Sequence, residues 1–128
     1  MKPQTENWLK IARYDLKAAK DSFKTSNYLK TIEACHSSLE KLLKGIIIEY
    51  SKSKPPKIHD LLKLTSIALI KGLRVDTKKV LSELNELYMT TRYPENFEEV
   101  ISYLSTSKTK VILKSTERIF KWLEKKIK

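Results

Sequence analysis

Three short groupings in this 128-residue chain hold side chains capable of chemistry. His59-Asp60-Leu61 follows the pair Pro55-Pro56 and opens a helical pattern. A histidine there can contact a phosphate or move a proton, and the same residues can serve as a boundary histidine and a helix-supporting carboxylate. Arg92-Tyr93-Pro94 closes another helical pattern. A guanidinium held beside an aromatic ring and a proline turn can fork onto an oxyanion, or simply meet the last carbonyls of its helix. His36, Glu40 and Lys44 recur every four residues and share one helix face at the border of an apolar stripe. That face is predicted to meet a partner or a second copy of the chain, with His36 beside a Glu–Lys pair.

Other chemistries are excluded by what the chain lacks. The single cysteine, Cys35, rules out a disulfide framework and a Cys-based zinc site, and two histidines are too few to complete a His/Cys cage. No metal site is expected. There is no Gly-rich phosphate loop, no Gly-x-Ser-x-Gly elbow and no His-Glu-x-x-His pair. Cys35 and His36 are neighbours on one helix, so their side chains diverge by about 100° and are poorly placed as nucleophile and base. Gly72 to Asp76 is long for the turn of a DNA-binding helix-turn-helix.

The elements that must position these residues follow from spacing and breakers. With only 2 Gly and 4 Pro and a hydrophobic content of 41%, the chain suits a helical fold with one core, one domain over residues 1–128. Trp8, Ala12, Leu16, Ala19 and Phe23 form a stripe predicting a helix over residues 5–24. Ser26 or Asn27 can cap the next, over 28–50, whose broad stripe runs from Tyr28 and Ile32 through Leu39, Leu42 and Leu43 to Ile46. A face that wide favours self-association, since a small bundle has difficulty covering it. The Pro pair ends that helix. A third is expected over 59–71, with Leu61, Leu62, Leu64, Ala68 and Leu69 inward and Gly72 as its stop. Asp76 can cap a fourth over 77–92, and a fifth is expected over 107–126, with Val111, Ile112, Ser115, Ile119, Trp122 and Leu123 inward. Residues 95–106 read as a linker with some apolar content, able to hold a short helix. The expected architecture is an all-α, antiparallel up-and-down bundle of about five helices, with both tryptophans in the core.

Net charge is +11, from 22 lysines and four arginines spread along the chain against 15 acids. A Lys-rich exterior of thermophile flavour explains this, as does attraction to phosphate on RNA, a nucleotide or an acidic partner. No apolar leader segment opens the sequence, and uncharged runs such as Leu64 to Ile70 are far too short to span a bilayer. A cytoplasmic protein without membrane contact is expected.

Taken in order, these segments resemble the HEPN family of helical domains over nearly the whole chain. Trp8, Ala12, Asp15-Leu16 and Ala18-Ala19 look like its first helix. Leu39-Glu40-Lys41 with Leu43-Lys44-Gly45 looks like its second, His59-Asp60-Leu61 with Leu64 its third. Tyr88 and Arg92-Tyr93-Pro94 are similar to its Arg-Tyr-Pro signature, and Ile119 and Trp122 fit its closing helix. Ser37 stands where relatives commonly carry Gln. The resemblance implies a dimerising bundle, in many cases paired with a separate minimal nucleotidyltransferase in a toxin–antitoxin-like system, and in some members linked to nucleotide binding.

Many members are metal-independent RNases that use an Arg followed, after four to six residues, by a His. Here the three positions at that spacing from Arg92 are Phe97, Glu98 and Glu99, and no other arginine has a His at that spacing. The resemblance therefore implies a nucleotide- or partner-binding homodimer with no catalytic residue. Arg92, Tyr93, His59 and Asp60 would meet a phosphate such as that of ATP, with no other cofactor. An RNase with a rearranged site and a general basic RNA binder are the alternatives.

Overall fold

The computed structural model describes residues 1–52 and 54–127; Ser53, part of the predicted Pro-rich break, and Lys128 lie outside the described residues. Its elements are α1 (Pro3–Lys24), α2 (Tyr28–Tyr50), α3 (Leu61–Ile67), α4 (Val75–Thr90), a 3-10 turn (Pro94–Asn96), α5 (Phe97–Tyr103) and α6 (Thr106–Glu124). No described residue lies in a strand.

Side-chain pairs fix how the long helices run. The Lys2 amide donates to Glu49 Oε1, so the start of α1 meets the end of α2. Arg13 pairs with Glu124 and Lys20 with Glu117, which sets α1 antiparallel to α6. Tyr28 and Tyr50, at the two ends of α2, bond Thr106 and the Lys126 carbonyl at the two ends of α6, so those helices are parallel. Lys108, early in α6, pairs with Glu83 in α4, while Trp122, late in α6, lines a cleft with Thr77 at the start of α4. The four long helices thus alternate in direction, α1 up, α2 down, α4 up and α6 down, with α3 and α5 in the connections.

α2 is the central element. It packs on α1 along its length and also on α6, α3 and α4. Its broad apolar face is therefore covered within the chain: Ile32, Cys35, Leu39, Leu42, Leu43 and Ile46 are all in the core. The width of that stripe reflects its several packing neighbours, α5 among them, not an open surface. Gly45 lets α1 approach closely, because a Cβ there would stand 3.2 Å from Trp8 Cβ. Ser37 Oγ donates to Asp15 Oδ2 at 2.6 Å, a second tie between these helices.

Several boundaries differ from the sequence expectation. α3 is two turns long and stops at Ile67 because the chain turns left-handed at Leu69, φ 57°. The Leu69 amide bonds the Ser66 carbonyl and the Ile70 amide bonds that of Thr65, which is the Schellman pattern. Leu69 is consequently 80% exposed and not a core residue, and Gly72 lies beyond the stop. α1 ends in the same way, with Ser26 left-handed at φ 62°, so Ser26 is not a cap; Asn27 holds the N-cap position of α2 without a side-chain bond.

Asp76 lies inside α4, whose N-cap position is Arg74. Val111 points outward, because the buried face of α6 runs through Thr109, Ile112, Leu113, Thr116, Ile119 and Phe120. Each tryptophan is half-buried at the edge of the core, not within it. The expected linker folds as the 3-10 turn and α5.

A left-handed leucine is strained by its Cβ, while glycine is not. Since Leu69 makes little use of its side chain, Leu69→Gly should stabilise the fold by about 1 kcal/mol and raise Tm by about 4 °C. Thermal unfolding followed by circular dichroism checks this; an unchanged or lower Tm would mean the turn carries no relievable strain.

Candidate functional site

The chemistry-bearing residues gather around one buried carboxylate. Glu40 sits midway along α2, and its neighbours on the same face are His36 one turn before and Lys44 one turn after. All three turn inward, with exposures of 0% for His36, 3% for Glu40 and 7% for Lys44. The face expected to meet a partner or second copy is therefore packed inside the chain, beneath α3 and α4.

Glu40 Oε2 accepts from Lys44 Nζ at 2.9 Å, and Lys41 Nζ stands 3.7 Å away. His59 Nδ1 lies 3.1 Å from both carboxylate oxygens. Burial pushes the Glu40 carboxyl up, but the bonds from Lys44 and His59 and the charges of Lys41 and Lys44 hold it below the ordinary range. It is ionised at neutral pH.

His36 is held differently. Its ring stacks on Tyr88 of α4, 4.0 Å between centroids and 7° from parallel. Glu40 Oε1 is 3.6 Å from Nδ1, too long for a hydrogen bond, and neither ring nitrogen bonds a described residue. Burial drives the imidazole down to about 4, and the Glu40 charge, Asn85 and the His59 backbone oppose that shift without cancelling it. His36 is therefore a neutral ring in the wall of the site.

Tyr88 is the hub on the α4 side. His59 packs against it at 5.7 Å, tilted 46°, and the Arg92 guanidinium carbon stands 5.0 Å from its centroid. A cavity of about 140 Å³ opens here, lined by His36, His59, Asp60, Asn85, Tyr88 and Met89. Asn85 ties its rim together: its Oδ1 accepts from the Leu61 amide and its Nδ2 donates to Asp60 Oδ1, both at 2.9 Å.

Of the sequence-predicted residues, the structure brings His59, Asp60 and Arg92 to the same corner. Asp60 Oδ1 also accepts from the Leu62 and Lys63 amides, so this carboxylate caps α3 and positions the loop bearing His59. Tyr93 is exposed and is not among the residues lining the cavity. Asn85 and the central part of Tyr88 were not foreseen. Asn85 and Tyr88 stand at i and i+3 on one face of α4, which was readable from spacing, while Arg92 lies two residues past the end of that helix. Cys35 is fully buried and burial pushes its thiol up to about 12, so it supplies no nucleophile at neutral pH. No group of three metal-ligating side chains occurs among the described residues. No helix among them is long and apolar enough to cross a membrane.

Two stability predictions follow from this arrangement. Glu40→Gln leaves the Lys44 ammonium buried without a counter-ion and should cost on the order of 3 kcal/mol. Lys44→Met should cost less, because Glu40 keeps His59 and Lys41. The urea midpoints of the two variants, at equal m, order them; the reverse order would remove Glu40 from the centre of the network.

The second concerns pH. A histidine whose folded value is depressed binds its proton more readily in the unfolded chain, so stability rises with pH between the two values. For His36 the window runs from about 4 to the ordinary 6.5. Acidification across it should cost up to about 3 kcal/mol. His36→Phe, which keeps a flat ring against Tyr88, should flatten that part of the stability–pH curve; a curve of unchanged steepness would show that His36 is not the group responsible.

Comparison with known proteins places the chain. A crystal structure, that of TT1696 from Thermus thermophilus, aligns with a TM-score of 0.80 over 98% of this chain and 99% of that one. The two share 21% sequence identity, so the likeness concerns the fold. No curated protein gives a significant sequence match. The family model described as HEPN domain matches residues 5–126, a span that contains every element from α1 to α6 except the first two residues of α1. The chain belongs to the HEPN domain family.

Proposed function

We propose that this protein is a binding module that receives a phosphate-bearing ligand, such as a nucleotide, at the corner shared by α2, α3 and α4. In this reading it acts with a protein partner and carries out no chemistry of its own. The observation that supports it is the convergence on Tyr88 of a buried neutral histidine, a carboxylate-held histidine and an exposed arginine. Arg92 lacks an ion-pair partner among the described residues, so its guanidinium is free to fork onto an oxyanion.

The cavity's size narrows the reading. At about 140 Å³ it suits a phosphoryl or ribose group and not a whole nucleotide, since small-molecule sites run to about 300 Å³ and above. The rest of the ligand would lie outside, over Arg92 and Tyr93 or against a second chain. A homodimer, or a complex with a minimal nucleotidyltransferase in a toxin–antitoxin-like pair, would supply that second wall. Membership of the HEPN domain family supports such an assembly, and the missing His after Arg92 favours a non-catalytic role for this member.

One geometric fact favours a second reading, a metal-independent RNase with a rearranged site. His59 is held by Glu40 at 3.1 Å and packs on the ring that also carries Arg92, so a base or acid and a charge-stabilising arginine share one wall despite their sequence spacing.

Arg92→Ala tests the first reading. Arg92 is exposed, so Tm should hold while affinity for ATP, measured by calorimetry alone and with any co-purifying partner, falls at least tenfold. Unchanged ATP binding would overturn the phosphate assignment. RNA cleavage in EDTA that disappears in His59→Ala would replace it with the second reading.

A further inference from the structure

The opposite side of α4 carries a surface of different character. Glu83, Glu86, Leu87 and Thr90 recur at i, i+3, i+4 and i+7 and form one wall of a groove of about 480 Å³. Asn96, Glu99, Val100 and Tyr103 of α5 and the turn before it recur at the same spacing and form the other. This face lies roughly 180° around α4 from Asn85 and Tyr88. Its floor is apolar, since Leu87 and Val100 are buried there. One end is closed by a hydrogen bond from Tyr103 to Glu83, which Lys108 also neutralises. Glu86 and Glu99 have no ion-pair partner among the described residues.

Two features of this groove are out of keeping with the rest of the molecule. The first is charge. Between Glu83 and Tyr103 lie five glutamates and one cation, Arg92, in a chain whose net charge is +11. The second is α5 itself. α5 seats Val100 on the bundle, yet leaves the Tyr103 ring 44% exposed along the same groove wall.

We propose that this α4–α5 groove docks a cationic amphipathic helix of a partner protein. The apolar side of that helix would lie on the Tyr103 ring and the groove floor, and its lysines or arginines would meet Glu86 and Glu99. The α4 wall from Glu83 to Thr90 spans about two helical turns, roughly 11 Å, enough for anchors at i, i+4 and i+7. Charge complementarity selects the occupant, because the remainder of this chain's surface repels a polycation. A second copy is a poorer fit: the exposed basic stretch of α1 has Arg13 already paired with Glu124 and Lys17 with Asp21. The inference does not depend on the phosphate reading of the other face.

The test uses the full chain and a fluorescein-labelled Leu/Lys peptide of about four helical turns, with leucines at helical spacing. A scrambled peptide of equal composition and spermine serve as controls, at about 0.15 M salt. The patterned peptide should bind at least tenfold more tightly than the scrambled one. Amide shifts should be confined to residues 83–103, and the charge-reversed pair Glu86→Lys with Glu99→Lys should lose at least tenfold in affinity.

Both glutamates are exposed, and Tyr103→Ser gives an independent, exposed change on the groove wall that should weaken binding without altering charge. Equal binding of the two peptides, competition by spermine at equal charge, or no effect of either the charge-reversed pair or Tyr103→Ser would overturn the proposal. So would a concentration-dependent dimer of the chain itself that the charge-reversed pair dissolves, because the occupant would then be a second copy.

Discussion

A charged carboxylate in the middle of the longest helix constrains everything around it. Glu40 cannot remain ionised under α3 and α4 unless a cation and hydrogen-bond donors reach it, because an unpaired buried charge costs several kcal/mol. Lys44 reaches it from one turn away on α2, and His59 reaches it from the loop ahead of α3. That second bond fixes where the chain must return after the Pro-rich break. The Asp60 cap then starts α3 at Leu61, and Asn85 locks the same corner to α4. One electrostatic requirement thus sets the meeting point of three helices.

The apolar core and this polar corner divide the work. Leu39, Leu42, Leu43 and Ile46 hold α2 against α1 and α6 through non-directional burial, which tolerates small shifts. The Glu40 corner is directional and does not. His36 stands at the boundary between them, stacked on Tyr88 and kept neutral by burial. A neutral ring with unbonded nitrogens beside a cavity is an unusual thing to leave in a small core, where buried polar atoms normally find partners. Its position lining the cavity is what connects the stability of the fold to the properties of the site.

The two sides of α4 show how one helix can serve two surfaces. Asn85 and Tyr88 face the histidines, while Glu83, Glu86 and Thr90 face α5. The first side is polar, small and partly enclosed; the second is open, acidic at its edges and apolar at its base. A 3.6-residue repeat separates them without any extra element.

Periodicity alone determined much of the fold. The long helices α1, α2, α4 and α6 are legible because an apolar face must recur every three or four residues to be buried at all. The family motifs in order also marked His59, Asp60 and Arg92 as worth watching. The ends of α1 and α3 were not legible, since Ser26 and Leu69 adopt a left-handed conformation that glycine, not serine or leucine, would advertise. Nor was the orientation of His36, Glu40 and Lys44. A charged triplet at helical spacing reads as a surface face, and only its packing against His59 and Tyr88 turns it inward. Asn85 and Tyr88 gained their roles in the same way. Spacing along the chain cannot bring Arg92 and His59 together, because they lie on different elements; their meeting at one ring is a product of α3 and α4 crossing α2, which only the tertiary structure decides.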